Sequence, residues 1–111
     1  MFFKKRMPTV PPENLSRLLI ELGTELYRGV GPADGSAALS ATLVFDDSQR
    51  VETIRNLRVN GLSKLPPFET VERLNIIAAP LRQLTPDNRP ASVVISIERG
   101  KVNVRPHYRT K

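Results

Sequence analysis

The chain has 111 residues, 40% of them apolar and 25% charged, a length that supports one hydrophobic core and a composition that excludes an intrinsically disordered chain. It contains no cysteine, which excludes disulfides, thiolate metal sites and thiol nucleophiles, so the fold rests on packing. The net charge of +6 is unevenly spread: Lys4, Lys5 and Arg6 give residues 1–12 a charge of +3, residues 13–88 carry −2, and residues 89–111, with Glu98 as their one acid, carry +5. Such asymmetry attracts an acidic partner, either a nucleic acid or a protein surface. The start, Met1-Phe-Phe-Lys-Lys-Arg6, lacks the apolar stretch of a secretory signal, and no segment approaches the roughly eighteen apolar residues of a membrane span. A cytoplasmic protein without membrane contact is therefore expected.

Residues 1–12, with Pro8, Pro11 and Pro12 and no apolar period, read as a basic N-terminal arm, and residues 13–111 as a single domain. Leu15, Leu18, Leu19, Leu22 and Leu26 have the spacing of one helical face, and Pro12 suits the first helical position, which predicts a helix over residues 12–28. Gly23 interrupts it at a cost of about 1 kcal/mol relative to alanine, unless packing requires a small residue there. After a turn-rich loop at residues 29–35, Ala37, Leu39, Ala41, Leu43 and Phe45 alternate with smaller or polar residues, the period of a half-buried strand. Residues 51–59 read as a second strand in which Ile54 is out of step with Leu57 and Val59, a fault that a β-bulge would repair.

Asn60-Gly61 and Leu65-Pro-Pro67 break the chain before a second helix over residues 68–84, which Pro80 is expected to kink or split. Val93, Ile95 and Ile97 then define the inner face of a third strand. Arg99-Gly100 supplies a tight turn, and the returning strand sets Val102, Val104 and Tyr108 inward and Asn103, Arg105, His107 and Arg109 outward. Pro106 favours a sheet edge for this strand, because it donates no ladder hydrogen bond. The expected fold is α+β, in the order α-β-β-α-β-β: a four-stranded, largely antiparallel sheet with both helices on one face.

Catalytic chemistry finds little support. His107 is the one histidine, so an acid-base scheme would depend on a single imidazole on a strand surface, with an unmarked Ser92 or Ser96 as nucleophile. Asp46 and Asp47 are adjacent, which points them apart in a strand and suits a turn. Gly29, Gly31 and Gly35 do not have the spacing of a phosphate-binding loop. No enzyme activity, metal or cofactor is expected. The surface constellation that stands out is Asn103, Arg105, His107 and Arg109, four polar side chains about 7 Å apart along the last strand, extended by Arg99 and Lys101 near the turn. The row could meet phosphates or a line of carboxylates. No aromatic is interleaved with it, which weakens an RNA-stacking reading and leaves a small basic nucleic-acid-binding module as the alternative to a protein-binding one.

The run Pro90-Ala-Ser-Val-Val-Ile-Ser-Ile-Glu-Arg-Gly-Lys-Val-Asn-Val-Arg-Pro-His-Tyr108 resembles the closing hairpin of YezG-type immunity proteins, in which an apolar strand turns through Gly-Lys and returns as an alternating strand ending in tyrosine. The order of elements over residues 13–108 is also similar. The resemblance, which extends to the immunity proteins of contact-dependent growth inhibition, implies a cytoplasmic protein that neutralises a cognate bacterial toxin, often a nuclease, by tight binding. Ala91 stands where the family has tryptophan, and Arg105 and His107 stand on a strand that is acidic in the family. These departures imply a toxin with an acidic surface.

Overall fold

The structure, a computed structural model, describes residues 12–32 and 35–108. Of the expected N-terminal arm, residues 1–11 lie outside the described residues, as does Arg109. Chain order is α1 (Pro12–Val30), β1 (Leu39–Phe45), β2 (Val51–Val59), β3 (Leu62–Ser63), α2 (Phe68–Ala78), β4 (Pro90–Glu98) and β5 (Lys101–Tyr108), with two short 3-10 helices, Ala79–Gln83 and Pro86–Asn88, between α2 and β4. The α+β class holds, but the sheet has five strands rather than four, ordered β3-β2-β1-β4-β5 with every pair antiparallel. The additional strand comes from Asn60 and Gly61, whose φ angles of 52° and 81° form the tight turn that Asn-Gly favours and fold Leu62 back onto Val59.

Central strand β1 organises the sheet. Leu39 lies between Val59 and Ile97, and Leu43 between Ile54 and Val93, so one column of apolar side chains crosses three strands on a single face. Leu18, Leu19, Leu22 and Leu26 of α1 meet this face together with Leu74 and Ala78 of α2 and Leu81 and Leu84 beyond it. Each fully buried leucine stabilises the fold by about 1.5–3 kcal/mol. Helix α1 lies against β4 and β5, while α2 packs on α1 and touches β2.

The expected bulge is present in β2, where the pairing shifts between Ser40/Arg58 and Thr42/Arg55 and Asn56 adopts a φ of 55°. The extra residue brings Ile54 into phase with Leu57 and Val59. Pro80 has its expected effect too, since regular helix ends at Ala78 and Pro80 sits in the first turn of the following 3-10 segment, where its missing N–H removes no bond. Tyr108 departs from the reading: at the end of β5, beyond a register shift opposite Ala91, it is 43% exposed rather than part of the core.

Two glycines of α1 mark close approaches. A Cβ on Gly23 would stand 2.9 Å from Val102 Cγ1 and 3.2 Å from Ile95 Cγ2, which gives the packing reason for glycine inside the helix. A Cβ on Gly29 would run into the hydroxyl of buried Thr70 and stand 2.8 Å from its Cγ2. Beside this crossing, buried Glu25 receives a 2.7 Å bond from Arg28 and faces Arg73 of α2 at 3.7 Å, an ion cluster across the helix pair.

In an isolated helix Gly29→Ala would gain about 1 kcal/mol; here it is expected to cost about 1–3 kcal/mol by overpacking against Thr70. Urea denaturation of Gly29→Ala, Thr70→Ala and the double variant should show the double variant recovering part of that loss, the sign of coupling between residues in contact.

Candidate functional site

Among the described residues the sheet has one covered face and one open face, and alternation decides which side chains occupy the second. On β4 the buried residues Val93, Ile95 and Ile97 alternate with Ser92, Val94, Ser96 and Glu98, and on β1 Ala41 and Leu43 alternate with Ser40, Thr42 and Val44. Cross-strand register then arranges the open face in rows. The middle row runs Arg55, Thr42, Val94, Arg105 from β2 to β5; one flanking row runs Arg58, Ser40, Ser96, Asn103, and the other runs Thr53, Val44, Ser92, His107. Arg55, Arg58, Asn103, Arg105 and His107 are all exposed.

Four of the six residues singled out from the sequence thus share this face: Lys101, Asn103, Arg105 and His107, with Lys101 directly opposite Glu98 at the turn end. Arg99 occupies the turn itself, with φ 54° followed by 78° at Gly100, and extends the row at its tip. The two-residue turn makes Glu98 and Lys101 a hydrogen-bonded pair, and alternation along the ladder leaves Pro106, opposite Val93, in a non-hydrogen-bonded pair. Its missing N–H therefore falls on the free edge of β5, where it blunts pairing with another strand.

Sequence reasoning missed Arg55 and Arg58. They stand on β2, three strands from Arg105, yet register carries them to the same face. The signal was the out-of-step Ile54: placing the bulge between Arg55 and Leu57 sets both arginines opposite the core.

The cations divide by what they touch. Arg89 donates from Nε to the Leu84 carbonyl at 2.8 Å and from Nη2 to the Arg82 carbonyl at 2.6 Å, Arg82 donates to the Ser48 carbonyl at 2.9 Å, and Arg28 and Arg73 surround Glu25. These hold the fold. Arg55, Arg58, Lys101 and Arg105 make no such contact with the described residues. In the acidic turn, Asp46 Oδ1 accepts from the N–H groups of Ser48 and Arg50 at 2.9 and 3.0 Å, bonds that suit an aspartate to that position.

Two other features lie off the open face. A cleft of about 520 Å³, bordered by Thr24, Tyr27, Arg28, Ile97 and Val102, opens beside the C-terminal end of α1, where the Tyr27 hydroxyl accepts from the Ala37 N–H at 2.9 Å. Leu62, Leu65 and Phe68, 67–91% exposed, follow one another from β3 into α2. Among the described residues no group of three or more His, Cys, Asp or Glu side chains could hold a metal ion, and no helix is long and apolar enough to cross a membrane. Compared with protein-family models, with curated proteins and with solved structures, the chain matches none.

Alanine at Arg55, Arg58, Lys101 or Arg105 is expected to change stability by less than about 0.5 kcal/mol. Arg89→Ala, which strips a donor from two carbonyls, should cost about 1 kcal/mol or more. Urea titration of the five variants checks the division: a large loss at any of the four surface cations would give that residue a structural role.

Proposed function

We propose that the protein binds rather than catalyses, and that its open sheet face docks on an acidic protein surface, as in an immunity protein that occludes the active site or substrate path of a cognate bacterial toxin in the cytoplasm. The observation that carries this reading is the middle row, in which Arg55 and Arg105 stand exposed at either side of Thr42 and Val94 and neither pairs with a described residue. Cations on opposite flanks of one face steer an acidic partner and fix its orientation, raising the association rate more than they slow dissociation. The face supplies a rigid base for a patch of about 800 Å² per partner, the usual size of a specific interface. The resemblance of Pro90–Tyr108 to YezG-type immunity proteins, and its sign-reversed last strand, point the same way: the partner should be acidic where β5 meets it.

A nucleic-acid-binding module is the second reading, favoured by the same cations and by Lys4, Lys5 and Arg6. The four-strand rows work against it, because Thr42, Val44, Ser92, Val94 and Ser96 offer no ring on which a base could stack.

Affinity capture from the host, followed by expression of the captured protein alone, tests the proposal. The expected partner arrests growth by itself, and co-expression of this chain restores growth. Arg55→Glu combined with Arg105→Glu should slow association by about tenfold at low salt with little change in dissociation. Unchanged kinetics would remove this face from the interface. Capture of nucleic acid, with affinity falling linearly on a log–log plot against salt, would replace the protein reading with the second one.

A further inference from the structure

The open face is not flat in profile. Its two middle strands, β1 and β4, present the short side chains Ser40, Thr42, Val44, Ser92, Val94 and Ser96, with Glu98 of β4 at the turn end opposite Lys101, whereas its flanking strands carry the long cations Arg55 and Arg58 on β2 and Lys101 and Arg105 on β5, beside Thr53, Asn103 and His107. By side-chain length this makes a trough with a small-residue floor, mainly cationic walls and one acid, Glu98, at its turn end. Strands are about 4.8 Å apart, so the walls stand about 14 Å apart at the backbone. Strands β1 and β4, of seven and nine residues, give the trough a length of about 23–30 Å.

An α-helix with its side chains is about 10–12 Å across, and about 15–20 helical residues span that length. A strand added in the plane of the sheet would occupy an edge and leave the trough empty. A single nucleic-acid strand would enter it but find no aromatic floor. Thr42, Val44 and Val94 are half-buried and β-branched, a surface against which small apolar side chains can pack. The walls carry like charge on both sides, so the complementary object is acidic along both flanks and apolar between them. A helix has that cross-section when residues at i, i+3, i+4 and i+7 are apolar and the positions beside them are Glu or Asp.

We infer that the trough receives one α-helix of the partner, lying along β1 and β4 with its acidic flanks facing Arg55 and Arg58 on one side and Lys101 and Arg105 on the other. The inference rests on the docking of an acidic protein at this face and specifies the element that docks.

Two peptides of about 18 residues and identical composition serve as probes. One places an Ala/Leu stripe between two Glu flanks; the other is shuffled so that Glu surrounds the helix. A single-stranded DNA of about 16 nucleotides is the third probe. Each is titrated into the uniformly labelled full chain at about 50 mM salt and followed by amide chemical shifts. The striped peptide should move the amides of Thr42, Val44, Ser92 and Val94 and bind about tenfold more tightly than the shuffled one, which has the same net charge. Val94→Trp, which fills the floor at a surface position, should abolish that advantage; Thr42→Trp does the same from the neighbouring strand if the first variant loses its circular dichroism signature.

Equal affinities of the two peptides, binding of neither, or shifts confined to α2 and the β3 edge would overturn the helix inference. Equal affinity at the open face would leave the acidic-protein reading in place, since that needs charge alone. Binding of the DNA in preference to both peptides would overturn the two together.

Discussion

The pairing register of β1 is the constraint on which the rest depends. Because side chains alternate with a period of two, the choice that sets Leu43 between Ile54 and Val93 also sets Thr42 between Arg55 and Val94. Core and open face are two consequences of one register. A slip of a single residue in either neighbour would bury charge and expose the apolar column together, so the core that stabilises the fold also enforces the display of cations.

The β2 bulge reconciles these demands. Without an extra residue, Ile54 and Leu57 could not both face the helices, and Arg55 and Arg58 could not both face away. Asn56 absorbs the irregularity with a positive φ, a conformation asparagine tolerates better than most residues. The electrostatic cost of the arrangement is modest. The two cationic flanks are about 14 Å apart, beyond the Debye length of about 8 Å at physiological salt, so their mutual repulsion is largely screened.

Much of the fold was legible because its strongest signals are local. The leucine spacing of α1, the strict alternation of β1 and the paired apolar and polar faces of β4 each occupy one segment, and Pro80 marked where α2 gives way. Strand β3 is not legible because two residues carry no periodicity; Asn60-Gly61 breaks the chain in either case, and as a dipeptide it is also a strong hairpin signal. Tyr108 was set inward by extending alternation to the end of β5, where the register shift opposite Ala91 leaves it partly exposed. The candidate site was legible by half for a related reason. Lys101, Asn103, Arg105 and His107 lie in one strand and could be found by alternation, whereas Arg55 and Arg58 needed the bulge to be located from the phase of Ile54, and their rows with Arg105 and Asn103 come from pairings across four strands. For buried Glu25 the pairing with Arg28 three residues on is local, whereas its burial and the approach of Arg73 depend on another helix.

The absence of cysteine allows the most direct measurement. Single cysteines at Ala41, Leu43, Arg55, Thr42, Val94 and Arg105 can be labelled with a small maleimide under native conditions and compared with the same positions in denaturant. Positions 55 and 105 should react at close to the rate of an unfolded thiol and half-buried 42 and 94 more slowly, while 41 and 43 should react only through unfolding. Protection at Arg55 or Arg105, or ready labelling at Leu43, would place the cations and the core on other faces and contradict the common origin proposed for them.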